Sequence, residues 1–156
     1  MTSFAFTIPA LPDRLLSSNA GGRSRRNPWA VAEAKGVLKN NTMEAMKDHQ
    51  PIPAFARCTV TVTLYHSNKR PKVEECPRCL IEALNGGDAA CCCYRPSDVG
   101  NIGGDVLKPI LDGMTWMEMV TDDDYTHVEA VTLRIGCVAT VAEERIEVYV
   151  EGEPIA

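Results

Sequence analysis

The alternation of apolar and polar residues along the chain predicts four β-strands. The clearest is RCTVTVTLYH (57–66), in which Cys58, Val60, Val62 and Leu64 fall on one side and threonines on the other. A shorter β-rich run, FAFTIP (4–9), is ended by prolines. Two further alternating runs, 128–136 and 145–152, are joined through CVATVAEE, and we expect them to form an antiparallel pair.

The same pattern predicts two helices. Asn27 followed by Pro28 is typical of a helix start, so the first helix is expected from Trp29 to about Lys47. The second, at about 105–119, has an apolar stripe with the spacing i, i+3, i+4, i+7: Leu107, Ile110, Leu111 and Met114. Proline is tolerated only near the first turn, so we expect this helix to begin close to Pro109. The order β–α–β–insert–α–β–β predicts an α/β (α+β) fold, one domain spanning 1–156 with helices packed on a mixed sheet.

The composition is that of an ordinary globular protein. The 156 residues are 45% hydrophobic and 24% charged, with a formal net charge of −5, so the overall charge does not indicate a nucleic-acid binder. The sequence has no run of 18 apolar residues, and its N-terminus lacks the basic, apolar and small-residue order of a signal peptide. We therefore expect a cytoplasmic protein with no membrane partner.

Acidic side chains concentrate in DVGNIGGDVLKPILDG (98–113) and TDDD (121–124). At helical spacing Asp105, Lys108 and Asp112 share one face, opposite the apolar stripe. Asp98 and Asn101 precede them in an expected loop, whose glycines allow close approach of a ligand. So many carboxylates repel one another unless a cation lies among them, and Mg²⁺ prefers carboxylate and phosphate oxygens. The set suits metal-dependent phosphodiester cleavage assisted by a lysine.

A simpler interpretation of the same residues stays open. Asp105 would then be only a helix N-cap, Lys108 and Asp112 only a helical ion pair, and TDDD only a solvated turn. On this interpretation the acidic residues are surface groups without a ligand.

The order of these motifs, DVGNIGGDVLKPILDGM followed by VTDDDYTHV, resembles the core of the RusA-type Holliday junction resolvases, many of them encoded by phages and prophages. The opening FTIPALPDRLLSSN is similar to the first strand, proline-rich turn and Ser-Asn of that family. The resemblance implies a RusA-like nuclease fold and a homodimeric endonuclease that nicks branched DNA such as four-way junctions. It also implies Mg²⁺ as the cofactor, with Mn²⁺ able to substitute, and a bacterial host cell if the chain is phage-encoded.

The resemblance also implies roles by position. Asp98 matches the first metal-binding aspartate and Asn101 the asparagine that closes that motif and contacts DNA. Lys108 matches the functional lysine, and Asp112 the helix aspartate that supports it. The acidic pair is Asp122 and Asp123. Asp123 is the expected catalytic metal ligand, and Asp122 would take this role if the match to the family is shifted by one residue.

One expected carboxylate is missing from this pattern. Gly100 stands where the family normally has its second aspartate, and the gap from Asn101 to Lys108 is longer than in the bacterial type. Counting back from Lys108, Asp105 falls near the missing position. Either Asp105 supplies a catalytic, metal-binding carboxylate, or the chain is a branched-DNA-binding protein with impaired nuclease activity. We favour compensation, because Asp105 shares its helical face with Lys108 and Asp112.

A cysteine-rich insert at about 67–95 holds five of the seven cysteines. Cys76 and Cys79 form a Cys-Pro-x-Cys turn, and Cys91 and Cys93 would lie on one side of an extended chain, so the four suit a structural Zn²⁺ site. The alternative is a loop with free or buried thiols in a reducing cytosol. A zinc-stabilised interaction protein, with surface acids and no catalysis, is therefore a third possible function.

Two basic clusters flank the acidic residues. The first, in a glycine-rich loop, is Arg23, Arg25 and Arg26, with Trp29 close behind; the second is Lys69, Arg70 and Lys72. Arginine and lysine suit phosphate contacts, and an exposed tryptophan suits stacking on an unpaired base. The alternative is a solvated loop followed by a core tryptophan.

Overall fold

The computed structural model describes residues 1–13, 16, 27–67 and 99–156, and in the helix that begins at Val99 it describes side chains from residue 104 onward. The elements are β1 (Thr2–Ile8), α1 (Pro28–Lys47), β2 (Phe55–Ser67), α2 (Val99–Trp116), β3 (Val128–Val138), a 3-10 turn (Val141–Glu143) and β4 (Arg145–Pro154). One mixed four-stranded sheet packed against two helices confirms the predicted α/β (α+β) class.

The sheet has the strand order β1-β4-β2-β3. β4 is antiparallel to both β1 and β2, whereas β3 is parallel to β2. The predicted antiparallel pair of 128–136 and 145–152 is therefore wrong, because β3 and β4 lie on opposite edges of β2. The connection between them is held at the end of β2, where the backbone N–H and the hydroxyl of Ser67 donate to Glu144 Oε1 at 3.0 and 2.7 Å.

The core lies on one face of the sheet. Val60, Val62 and Leu64 of β2 are buried and alternate with the more exposed threonines, which confirms the predicted alternation. Buried residues of the flanking strands and both helices join them in one cluster, including Phe6, Ile8, Leu38, Met46, Val106, Ile110, Met114, Ile146, Val148 and Val150. Packing against the helices therefore fixes the register of β2, since a shift by one residue would expose its apolar side.

α1 begins as its sequence predicts. The Asn27 side chain accepts a hydrogen bond from the Trp29 N–H at 2.9 Å, and Pro28 occupies the first turn. Trp29 is 85% exposed, so the core-tryptophan alternative is wrong.

α2 begins at Val99, well before the predicted start near residue 105. Gly100 and Asn101 therefore lie in the helix, and the predicted loop at this position is wrong. Pro109 lies inside the helix, contrary to the expectation that the helix starts close to it. Proline removes one helical hydrogen bond, but burial of Val106 and Ile110 on either side of it stabilises the helix through tertiary packing.

The two helices lie side by side and run in the same direction. In their first halves, Lys35 Nζ lies 3.1 Å from Asp105 Oδ1. Further along, a Cβ built on Gly113 would lie 3.0 Å from the Thr42 side chain, so glycine permits this close approach. Thr42 is fully buried there, and its hydroxyl donates to the Leu38 carbonyl at 2.8 Å. Neither helix, within the part of the chain that the structure describes, is long and apolar enough to cross a bilayer.

We predict that Gly152→Ala destabilises the protein by on the order of 1–3 kcal/mol, because a Cβ there would lie 2.1 Å from the Arg57 carbonyl oxygen and 2.7 Å from Cys58 Cα. Gly36→Ala is the matched control. Among the described residues, no atom lies within 4 Å of its Cβ position, and alanine in a helix interior should add about 0.5–1 kcal/mol of stability. Urea unfolding of both variants measures the difference, and equal effects would contradict the proposed close contact between β4 and β2.

Candidate functional site

The acidic segment TDDD is held in place by hydrogen bonds to β2 on both sides of it. The Phe55 N–H donates to the Met119 carbonyl, and the Cys58 N–H donates to the His127 carbonyl, each at 2.8 Å. Val120 forms a parallel bridge with Phe55 and is buried. The loop between α2 and β3 therefore has fixed ends, and its aspartates are positioned relative to α2.

Lys108 brings the helix and this loop together. Its Nζ lies 2.9 Å from Asp112 Oδ1, one helical turn away, and it donates a hydrogen bond to Asp123 Oδ2. The ammonium thus bridges two carboxylates from different elements. Asp123 is positioned further by its own N–H, which donates to Asp122 Oδ1 at 2.8 Å. The predicted association of Lys108 with Asp112 on one helical face is confirmed.

These contacts favour the charged forms of both partners. The hydrogen bond from Lys108 lowers the pKa of the Asp123 carboxyl below its usual range. The same bond, followed by that to Asp112, raises the pKa of the Lys108 ammonium. The pair is therefore ionised throughout the neutral range, and Asp123 offers carboxylate oxygens there.

Asp124 has a different role from its two neighbours. Its Oδ1 accepts from the Thr126 hydroxyl at 2.6 Å, the Thr126 N–H at 2.9 Å and His127 Nδ1 at 2.8 Å. These bonds, led by those from Thr126, lower the pKa of Asp124 to about 2. Asp124 therefore shapes the turn that leads into β3, whereas Asp122 and Asp123 line a groove.

This acidic groove is an open depression of about 540 Å³ between the two helices and the loop. Its lining consists of Lys39, Lys108, Asp112, Thr115, Trp116, Glu118, Asp122 and Asp123. Sequence reasoning missed four of these eight residues: Lys39, Thr115, Trp116 and Glu118. Trp116 and Glu118 lie near the end of the helix predicted at about 105–119 and could have been included on that ground. Lys39 comes from α1, and no sequence pattern indicates it because its position depends on the packing of the helices.

The end of α2 beside the groove adopts an uncommon backbone. The N–H groups of Glu118 and Met119 donate to the carbonyls of Thr115 and Met114, each at 3.0 Å, which is the Schellman pattern. This pattern places Glu118 in the left-handed region, with φ 59, where glycine is usually found. A side chain in this conformation costs roughly 1–2 kcal/mol. Glu118 lines the acidic groove in this strained conformation.

The structure separates other predicted site residues from the groove. Asp105 forms an ion pair with Lys35 of α1 and is not part of the groove lining. Asn101 is described by its backbone only. Several predicted residues lie outside the described part of the chain: Arg23, Arg25, Arg26, Lys69, Arg70, Lys72, Cys76, Cys79, Cys91, Cys93 and Asp98. The zinc and basic-cluster predictions therefore stay predictions.

The groove carboxylates have the chemistry that Mg²⁺ prefers. Mg²⁺ is commonly held by one or two carboxylates together with waters and substrate phosphate oxygens, and Asp122 and Asp123 are adjacent and line the same groove. The Lys108 ammonium already lies between two carboxylates, which shows that the site accommodates positive charge. Among the residues that the structure describes, no three Asp, Glu, His or Cys side chains are grouped so that they could hold a metal ion.

Neither protein-family models nor curated proteins give a match to this chain. The resemblance to RusA-type resolvases therefore rests on the sequence motifs alone.

We predict that Lys108→Met raises the pKa of Asp123 toward that of an ordinary aspartate, because the hydrogen bond that stabilises its charged form is lost. Carboxyl-carbon NMR titration measures this pKa. In the wild type the pair stabilises the fold above the unfolded-state pKa of aspartate, about pH 4, and loses this contribution as the pH falls through the lower folded value. The contribution should stay below about 1 kcal/mol, since Lys108 is 58% exposed. Lys35→Met, which removes one ion-pair partner of Asp105, is the control. An unchanged Asp123 pKa in Lys108→Met would contradict the pairing.

We also predict that Glu118→Gly stabilises the protein by up to about 1 kcal/mol, because glycine adopts a positive φ without steric cost. Glu118→Ala removes the same carboxylate but keeps a Cβ in the left-handed region. Thermal or urea unfolding should therefore rank glycine above alanine. Equal stability of the two variants would show that the backbone at this position is not strained.

Proposed function

We propose that this protein is a RusA-like, Mg²⁺-dependent endonuclease that cleaves phosphodiester bonds in branched DNA, acting as a cytoplasmic homodimer. The observation that supports it most is the contact between Lys108 and Asp123. These residues are 15 positions apart, they match the family's functional lysine and metal-binding aspartate, and they meet in an open groove. A solvated turn and an isolated helical ion pair would not require this convergence.

Lys108 is suited to bind the phosphate that is cleaved. An ammonium has three donors, and the carboxylates of Asp112 and Asp123 use two of them. No other acceptor among the described residues contacts this ammonium, so the third donor can bind a non-bridging phosphate oxygen, where positive charge stabilises the transition state. Asp112 holds the lysine from the next turn of the same helix, so its role is to orient the ammonium.

In the proposed enzyme Asp123 and Asp122 would hold Mg²⁺, with Asp98 as the further ligand that the resemblance implies. When bound, Mg²⁺ neutralises charge on the phosphate and lowers the pKa of a coordinated water. Asp123 is ionised at neutral pH like any ordinary aspartate, so it offers ligand oxygens without first losing a proton. The hydrogen bond from Lys108 lowers its pKa and so extends the charged form to more acidic pH.

The role expected for Asp105 needs revision in light of its partner. Lys35 neutralises this carboxylate at 3.1 Å, so Asp105 would have to exchange this ion pair for the metal in order to replace the aspartate missing at Gly100. Because this ion pair competes with metal binding by Asp105, the competing hypothesis is the second candidate function, a branched-DNA-binding protein with impaired nuclease activity.

We predict that Asp123→Asn lowers the rate of nicking of a synthetic four-way junction in Mg²⁺ by at least about 100-fold, since the amide is neutral and a poorer ligand for Mg²⁺. Asp124→Asn is the matched control. It neutralises the adjacent aspartate, which contacts Thr126 and His127 and not Lys108, and it should retain most of the activity. Circular dichroism checks that both variants are folded.

Three outcomes separate the hypotheses. Full nicking by Asp123→Asn would refute the assigned site. Tight junction binding by the wild type without nicking in either Mg²⁺ or Mn²⁺ would favour the binding protein. Lys35→Met addresses Asp105: faster nicking at low Mg²⁺ would support Asp105 as a metal ligand released from its ion pair.

A further inference from the structure

Trp116 is an exposed aromatic side chain in the acidic groove. It is the last residue of α2 and is 67% exposed, whereas Met114 and Met119, close to it in sequence, are fully buried. The end of the helix is therefore anchored by its methionines, and the indole contributes little to the core. Trp29 and Tyr125 are more exposed still, so it is the position of Trp116 in the charged groove, and not its exposure alone, that distinguishes it.

Lys39 of α1 holds one side of this indole. Its Nζ lies 4.8 Å from the centroid of the Trp116 ring, within the range of a cation–π interaction. The helix packing fixes this arrangement, because the backbone of Lys39 lies close to Gly113: its carbonyl oxygen would be 3.2 Å from a Cβ there. Trp116 is still 67% exposed with Lys39 in place. This leaves indole surface on which a planar group can stack.

The surroundings of Trp116 favour a nucleotide over a protein partner. The core of a protein interface is depleted of charged groups, whereas six of the eight groove residues are charged. An aromatic ring beside lysines is the combination that single-stranded nucleic-acid binders use, since a base stacks on the ring and its phosphate binds the cation. Lys108 and Asp123 line the same groove, so a nucleotide stacked on Trp116 would have its phosphate near the proposed cleavage site.

We propose that Trp116 and Lys39 form a platform for an unpaired nucleotide of the DNA substrate, with the base stacked on the indole and the phosphate bound by Lys39. This proposal rests on the proposed function and adds the contact that orients the strand beside the reacting phosphate. Unpaired or splayed nucleotides are selected because a base inside a duplex cannot present its face to the indole.

The groove charge makes this binding dependent on a divalent cation. Its two lysines face four carboxylates, so the groove has an excess of two negative charges and repels a phosphate chain. A divalent cation at the carboxylates removes that excess. Nucleotide binding to Trp116 should therefore be strong in Mg²⁺ and weak in EDTA. Binding that depended only on contacts between lysines and DNA phosphates would not be weakened by EDTA.

Tryptophan fluorescence tests the platform directly. The chain has two tryptophans, so Trp29→Phe leaves Trp116 as the only one. We expect a short single-stranded oligonucleotide in Mg²⁺ to quench its fluorescence, and EDTA to reverse the effect. In the otherwise wild-type chain, Trp116→Ala should weaken binding of a four-way junction on the order of tenfold, and Trp116→Phe should restore part of the loss.

Tyr125→Ala is the matched control. Tyr125 is 86% exposed in the neighbouring loop but does not line the groove, so its loss should leave junction affinity unchanged. Lys39→Ala should weaken binding and reduce its salt dependence, because one phosphate contact is lost.

The results separate this proposal from the proposed function. Normal junction nicking and affinity in Trp116→Ala, with unquenched Trp116 fluorescence, would overturn the platform and leave the nuclease intact. A wild type that neither binds nor nicks a junction would overturn the nuclease and the platform with it. A shift of Trp116→Ala from dimer to monomer in sedimentation, with no quenching of Trp116 by DNA, would overturn the platform in favour of a subunit interface.

Discussion

The buried face of β2 is the constraint on which the rest of the structure depends. This strand has hydrogen-bonded neighbours on both edges, and Val60, Val62 and Leu64 pack beneath the helices. The N-terminal part of the same strand anchors the acidic loop, through Phe55 and Cys58. The strand that forms the core therefore also fixes the distance between the loop and α2. In physical terms, the burial of apolar side chains determines the geometry at which Lys108 and Asp123 meet.

The groove itself is assembled from opposing charges. Four carboxylates line one surface, and Lys108 offsets the repulsion between two of them by bridging Asp112 and Asp123. Lys39 lies over the Trp116 ring on the same surface. Glu118, which lines the same groove, has a left-handed backbone conformation that glycine adopts more readily. This combination of exposed charge, exposed indole and local strain stabilises the fold little, and it is the kind of surface that a charged ligand complements.

The sequence pattern predicted local structure correctly where that structure depends on a single helix or strand. The alternation in β2 and the Asn27-Pro28 start of α1 depend on local preferences, and the structure confirms both. The start of α2 was predicted too late, because the rule that excludes proline from helix interiors considers local hydrogen bonds and omits the packing around Pro109. The pairing of β3 with β4 was wrong for a related reason. Neighbours along the chain usually pair, but here β4 fits between β1 and β2, with which it buries an apolar face.

The candidate site divides in the same way between sequence and tertiary structure. The sequence by itself determined the acidic helix and loop, the i,i+4 contact of Lys108 with Asp112, and the resemblance that gave these residues a proposed chemistry. Only the tertiary structure decided that Lys108 contacts Asp123 and that Lys35 forms an ion pair with Asp105. It also decided that Lys39 and Trp116 line the groove. Spacing within one helix follows from its fixed geometry. Contacts between elements depend instead on how closely buried side chains let them pack, as at Gly113 and Thr42.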